Sequence, residues 1–273
     1  SPRVTDTGRR RRACWASVPR RCTGGSGNFA NRGKRIRQCP GRHMGDTGMG
    51  ATGTERDRQG RRANEQLIAR LRDRGDIVRP EVAAAFAAVP RHRFLPTDIP
   101  LAEVYRDSAV PILRGRRDPG LPGGLLSSST MPGILARMLE AAGTGPGQRV
   151  LQFGTGPGWF AGLIGALVGE RGTVLSLEIE DALIDEARRH LDGVGLSRVR
   201  VRAGNGLLPA PDSAPFNQIL VTASTDRVPV AWLQQLSAAG VLVVPLQLSP
   251  AFGSYPMVLL RRHPARLAAA GGP

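Results

Sequence analysis

The sequence predicts an α/β protein with a doubly wound, mostly parallel sheet, an N-terminal helical subdomain and a basic N-terminal tail. Three observations carry this. From Arg149 onward, short apolar strand-like runs alternate with helix-like segments of about ten residues, the signature of strands joined by helical crossovers. A glycine turn, Gly154-Thr155-Gly156-Pro157-Gly158, falls directly between the first such run and the helix that follows it. Charge is spread unevenly: residues 1–62 hold 16 Lys+Arg against 4 Asp+Glu, whereas residues 63–273 hold 22 against 18.

The elements follow in order. Residues 1–62 are rich in Gly, Arg, Ser and Thr without an apolar period, and read as disorder or as translated sequence upstream of a start at Met44 or Met49. Cys14, Cys22 and Cys39, with His43 nearby, are too irregularly spaced for a zinc site. Residues 63–143 read as a helical and loop-rich subdomain. Leu67, Ile68 and Leu71 mark a first helix stopped by Gly75, and Val82, Ala85, Phe86 and Val89 mark a second, closed by Pro90. A proline-punctuated loop runs to Pro122. The hydroxyl cluster Ser127–Thr130 leads into Pro132, which suits the first turn of a helix bearing Ile134, Leu135, Met138 and Leu139.

Residues 144–273 read as the sheet domain. Strands are expected at Arg149–Phe153, Thr173–Leu177, Val199–Val201, Gln218–Thr222, Val241–Leu246 and Met257–Leu260. Helices are expected at Phe160–Val168, Asp181–Leu191 and Pro229–Leu236. Continuously apolar runs such as Val241–Val244 suit strands covered on both faces.

Three places carry binding chemistry. Gly154, Gly156 and Gly158 let the backbone turn sharply and approach a ligand, and their G-x-G-x-G spacing differs from that of dinucleotide binders. Glu178 ends the next strand, where a carboxylate accepts ribose hydroxyls or else marks a helix N-terminus; Ile179 beside it suits the face of a base. Gly204-Asn205-Gly206, at the end of the third strand, is either a plain turn or a reader of an adenine amino group.

In this order the three motifs resemble those of class I S-adenosylmethionine-dependent methyltransferases, on a Rossmann-like fold. Further segments resemble the protein-L-isoaspartate O-methyltransferase family: Val89-Pro90-Arg91-His92-Arg93-Phe94-Leu95-Pro96, Tyr105-Arg106-Asp107, Ser128-Ser129-Thr130-Met131-Pro132, Gly147-Gln148-Arg149-Val150-Leu151, Ala214–Ala223 and Leu242-Val243-Val244-Pro245-Leu246. The resemblance spans about residues 64–246 and implies methylation of the free carboxylate of isoaspartyl or aspartyl residues, as in protein repair. It implies that Thr130, with Ser128, holds that carboxylate. It also implies that Gln152, Gly154, Thr155, Gly156, Gly158, Glu178, Ile179, Asn205, Gly206 and Thr222 surround S-adenosyl-L-methionine. The hydroxyl run reads equally as an N-cap for the helix at Pro132. Where the family usually carries acids, this chain has Gln152, Asn205 and Asn217, which predicts weaker attraction for a sulfonium.

Two other readings are kept: a methyltransferase of another substrate class, and a non-catalytic binding protein with a degenerate cofactor pocket. No apolar run approaches the roughly 20 residues of a membrane helix. The expectation is a cytoplasmic monomer with no metal, no membrane contact and no specific nucleic-acid partner.

Overall fold

A computed structural model describes residues 55–114, 125–206, 210, 213–223, 225–247 and 255–263. The tail before residue 55, with its three cysteines and His43, lies outside the described residues.

Among the described residues, eight strands fall into two sheets. Strands β1 (Val110–Arg114) and β2 (Leu125–Ser129) pair antiparallel. The main sheet comprises β3 (Arg149–Phe153), β4 (Thr173–Glu178), β5 (Arg200–Ala203), β6 (Phe216–Val221), β7 (Leu236–Pro245) and β8 (Met257–Arg261), in the order β5-β4-β3-β6-β7-β8. All of its pairings are parallel except β7 with β8. The helices are α1 (Glu55–Asp73), α2 (Pro80–Ala88), α3 (Leu101–Val104), α4 (Pro132–Ala142), α5 (Trp159–Val168), α6 (Asp181–Gly193) and α7 (Val230–Gln234), with a 3₁₀ turn at Arg91–Phe94. The chain winds outward from β3 in both directions, so the reversal of strand order lies between β3 and β6. Ligands of open parallel sheets bind at the carboxyl ends of the strands at such a point.

Alternate strand residues enter two separate cores. Val150, Val174, Val201, Leu220, Val241 and Val243 pack with helical residues such as Leu71, Phe86, Leu139 and Ile164. Leu151, Phe153, Leu175, Ile219, Leu242 and Val244 face the other way, with Trp232 of α7. Both faces are apolar, which is why these strands read as unbroken hydrophobic runs.

The loop expected to run to Pro122 contains the 3₁₀ turn, α3 and β1, and β5 and α7 are shifted from their expected bounds. Three further differences bear on the site. Helix α1 starts at Glu55, so the tail expected to reach residue 62 ends earlier. Polar contacts build its first two turns: Glu55 accepts from Arg58 (2.5 Å) and Gln59 (2.8 Å). Buried Asp57 accepts from Arg93 Nε (2.7 Å) and His92 Nε2 (2.9 Å). Gly60 lets this turn approach His92, since a Cβ there would stand 2.5 Å from the imidazole. An apolar period cannot register a turn anchored by charge. Strand β7 starts at Leu236, five residues before the expected Val241. Ser237-Ala238-Ala239-Gly240 has weak strand propensity, but Leu236 is drawn into register with Phe216. The Ser127–Ser129 part of the hydroxyl cluster lies in a strand rather than a loop, with Val110 opposite Ser129 and Pro111 opposite Ser128.

The helix at Pro132 starts as expected and ends at Gly143 in the left-handed conformation. Its N-cap is Met131, and no side chain of the hydroxyl run caps it. The acceptor is Asp107, whose Oδ1 receives the Gly133 amide at 2.7 Å. The capping role considered for Ser128 and Thr130 therefore falls to Asp107, a carboxylate well matched to the positive end of a helix.

Candidate active site

The glycine turn leaves β3 and is braced from three directions. From below, Gln152 is fully buried; its Nε2 donates to the Gly154 carbonyl (2.8 Å) and its Oε1 accepts from Ser176 Oγ (2.8 Å). Ser176 Oγ in turn lies 2.6 Å from Thr155 Oγ1. From β4, Glu178 Oε2 accepts the Gly156 amide (2.7 Å), while its Oε1 accepts the amides of Ile179 (2.8 Å) and Glu180 (3.1 Å). From β6, Thr222 Oγ1 lies 2.9 Å from the Gly154 carbonyl and 3.0 Å from that of Phe153. A Cβ on Gly154 would sit 2.6 Å from Thr222 Oγ1, and its φ of +86° is one that L side chains rarely adopt.

The hydroxyl strand lies directly on this turn, with the Ser128 carbonyl and Ser127 Oγ beside Gly156. Between strand and turn runs a cleft of about 240 Å³, open mouth included, whose wall holds Ser128, Ser129, Thr130, Leu135, Gly154, Thr155, Pro157, Trp159, Phe160 and Thr222. None of these residues is ionisable. Ser129 is buried and its hydroxyl meets Arg91 (3.3 Å), whereas Ser128 and Thr130, flanking it, are partly exposed. The cluster thus holds one buried hydroxyl, on Ser129, between two partly exposed ones.

The structure brings Ser128, Thr130, Gly154, Thr155 and Thr222 together in one cleft. Gln152 stands beneath it and Glu178 behind the turn. Gly204-Asn205-Gly206 lies farther along the same sheet edge, at the end of β5. Gly206 packs on Phe153, which stacks with Trp232 at 5.0 Å; Trp232 Nε1 donates to the Gly206 carbonyl (2.5 Å). Asn217 does not belong here. It lies at the opposite end of the sheet, where its Oδ1 accepts the Arg149 amide (2.8 Å) as β3 begins. Of the three amides expected to weaken cofactor attraction, only Gln152 and Asn205 are near the strand ends that matter.

Sequence reasoning missed the residues that hold the hydroxyl strand. Arg91 is fully buried and donates to the carbonyls of Val104 (2.9 Å), Arg106 (3.3 Å), Ser108 (3.1 Å), Ser129 (3.0 Å) and Thr130 (3.1 Å). Its guanidinium lies 5.1 Å over the ring of Trp159, whose Nε1 donates to the Val89 carbonyl (2.9 Å). Burial pushes Arg91 down to about 10, so it remains a cation at neutral pH. His92 is neutral: burial pushes its pKa down, against the pull of Asp57. Because Asp57 only accepts, the His92 proton is assigned to Nε2, and Nδ1 receives the Tyr105 hydroxyl at 2.6 Å. No periodicity announces these residues; their contacts reach across 13 to 70 positions of sequence.

The site fits a nucleoside-bearing cofactor. A tight glycine turn, a carboxylate at the next strand end and a polar turn at the third line one sheet edge, and a side chain at Gly154 would close the first of these. Comparison with known proteins agrees. The family profile described as protein-L-isoaspartate(D-aspartate) O-methyltransferase matches residues 61–262. The chain is 36% identical to the protein-L-isoaspartate O-methyltransferase of Ignicoccus hospitalis, over 68% of this chain and 83% of that one. It is 37% identical to the Methanopyrus kandleri protein of the same name, over 70% and 80%. A solved protein-L-isoaspartate O-methyltransferase superposes with a TM-score of 0.64 at 32% identity, covering 73% of this chain and 60% of that one. With the profile matched across most of the chain and relatives of that name 36% and 37% identical to it, the chain belongs to the protein-L-isoaspartate(D-aspartate) O-methyltransferase family and is an S-adenosylmethionine-dependent methyltransferase.

Proposed function

We propose that the cleft between the hydroxyl strand and the glycine turn methylates the free carboxylate of L-isoaspartyl residues in damaged proteins or peptides. The carrying observation is the chemistry of its wall: Ser128, Ser129 and Thr130 line one cleft with the glycine turn, and none of the lining residues is ionisable. When bound, S-adenosylmethionine supplies an electrophilic methyl group. A carboxylate with a pKa of about 4 is already ionised at neutral pH, so no general base is needed. Ser128 and Thr130 donate to that carboxylate and orient one oxygen toward the glycine turn. Leu135, Trp159 and Phe160 exclude water from it.

On the cofactor side, Gly154, Thr155, Gly156 and Gly158 form the cradle, with Gln152 and Thr222 fixing its shape. Glu178 keeps one acceptor site, on Oε2, for a ribose hydroxyl after accepting three amides. Ile179 lies against the base, and Asn205 and Gly206 read its edge. The enzyme works in the cytoplasm as a monomer. Among the described residues no helix is long and apolar enough to cross a membrane. Four arginines of the body, Arg79, Arg149, Arg188 and Arg198, donate to backbone carbonyls.

Methyl transfer from labelled cofactor to an isoaspartyl peptide, beside its normal aspartyl twin, tests the reading. Label on the isoaspartyl peptide alone is expected. Cofactor binding without label on either peptide would overturn the substrate; no binding at all would favour a degenerate pocket.

A further inference from the structure

The hydroxyl strand rests on a buried cation. Arg91 spends its donors on five backbone carbonyls and the Ser129 hydroxyl, all of them uncharged. Among the described residues, no carboxylate comes within ion-pairing distance of it. Asp107, the acid that acts on it from farther away, is itself paired with Arg74 at 2.5 Å. Two of the five carbonyls belong to Ser129 and Thr130, and the guanidinium face lies on Trp159, which opens the helix after the glycine turn. One side chain therefore fastens the substrate strand to the cofactor side and places an unneutralised positive charge behind the hydroxyls.

We propose that Arg91 is an electrostatic positioning residue, which never touches substrate but biases the Ser128–Thr130 hydroxyls toward an anionic ligand. The inference rests on the carboxylate-methylating reading above. In a water-poor site a charge acts over several ångströms with little loss, and dissolved salt screens it poorly. Such a device selects a carboxylate over an isosteric amide without adding a contact.

The test uses the full chain and two peptides: an isoaspartyl peptide, and the same peptide with that carboxylate replaced by a carboxamide, as a competitive inhibitor. Wild type is expected to prefer the acid, and to keep that preference as salt rises from about 0.05 to 1 M, since a buried charge is poorly screened. Arg91→Gln should raise KM for the acid about tenfold, leave the inhibition constant of the amide and the cofactor affinity in place, and so erase the preference. Arg91→Lys, which keeps the cation but not its planar fork, should restore part of it. Equal weakening of acid and amide, equal behaviour of the Lys and Gln variants, or a change in melting temperature alone would overturn the proposal. Should Arg91→Gln not fold, the salt series on wild type decides, because a preference that collapses with salt comes from surface charge. A wild-type chain that methylates no isoaspartyl peptide sinks the functional reading itself; one that does, with a preference indifferent to Arg91, sinks only this inference.

Discussion

The two walls of the cleft are built differently. The wall proposed for the cofactor is held by neighbours fixed by strand register: Gln152 bonds Gly154 two residues on, and Ser176 and Glu178 arrive from the adjacent parallel strand. The wall proposed for the substrate is an antiparallel strand pair outside the main sheet, held by Arg91 from 38 and 39 residues away. One wall follows from the pattern of the fold, whereas the other hangs on a single buried side chain. Changes to the first should therefore act on cofactor affinity, and changes to the second on substrate use.

The largest separation is expected at Gly154→Ala. A Cβ 2.6 Å from Thr222 Oγ1, at a φ of +86°, should lower S-adenosylmethionine affinity about 100-fold by calorimetry, given strain of ~1–3 kcal/mol per distorted residue and the clash besides. Retained affinity would remove the turn from the cofactor wall. Next comes Glu178→Gln. Replacing a charged acceptor of three amides should cost about 10-fold or more in cofactor affinity, since bonds to charged groups are worth ~1.5–3 kcal/mol. The KM for peptide should stay put, and movement of both constants together would break the division between walls. Thr130→Val tests the other side. Loss of one hydrogen bond to an ionised carboxylate, at the low end of the ~1.5–3 kcal/mol range, should reduce kcat/KM for the isoaspartyl peptide about tenfold while cofactor affinity holds. Thr130→Ser should keep activity, and an inactive Ser variant would argue against the hydroxyl as the working group.

The smallest effect concerns pH. His92 is held neutral in the fold, with its pKa below the ordinary value of about 6.5, so the unfolded chain takes up a proton first as pH falls. Stability should be fully present above pH ~6.5 and decline below it. Asp57, pushed down by its hydrogen bond from Arg93, adds a further loss at more acid pH, below about 3.9. Melting temperatures measured from pH 7.5 to 5.5 should fall, by ~1–3 °C on the scale of other single-site effects. His92→Asn should flatten that slope, and an unchanged slope would assign it elsewhere.

The same division governs what the sequence reveals. The parallel strands, the glycine turn, Glu178 and the helix at Pro132 are legible because each advertises itself in local composition or spacing. Ser128 and Thr130 were legible as hydroxyls, but the strand that ends at Ser129 was not, since its pairing partner includes Pro111. Arg91 and Asp107 stood in plain view within motifs, yet their work, bracing a strand and capping a helix, exists only in three dimensions. Asn217 is the converse case: a change that looked like a cofactor substitution is a strand-end acceptor for Arg149. Interiors built from single long-range polar contacts leave no period to read.

The placement of the indoles has a practical consequence. Two of the three tryptophans, Trp159 and Trp232, lie in the described core, one under the Arg91 cation and the other stacked on Phe153 beside Gly206. With Trp15 changed to Phe, and each of the others changed in turn, the chain carries one intrinsic fluorophore at the seam between the walls and one beside the third strand-end turn. Peptide should perturb the emission of one and cofactor that of the other, so the order in which the two ligands load becomes an optical measurement without any attached dye.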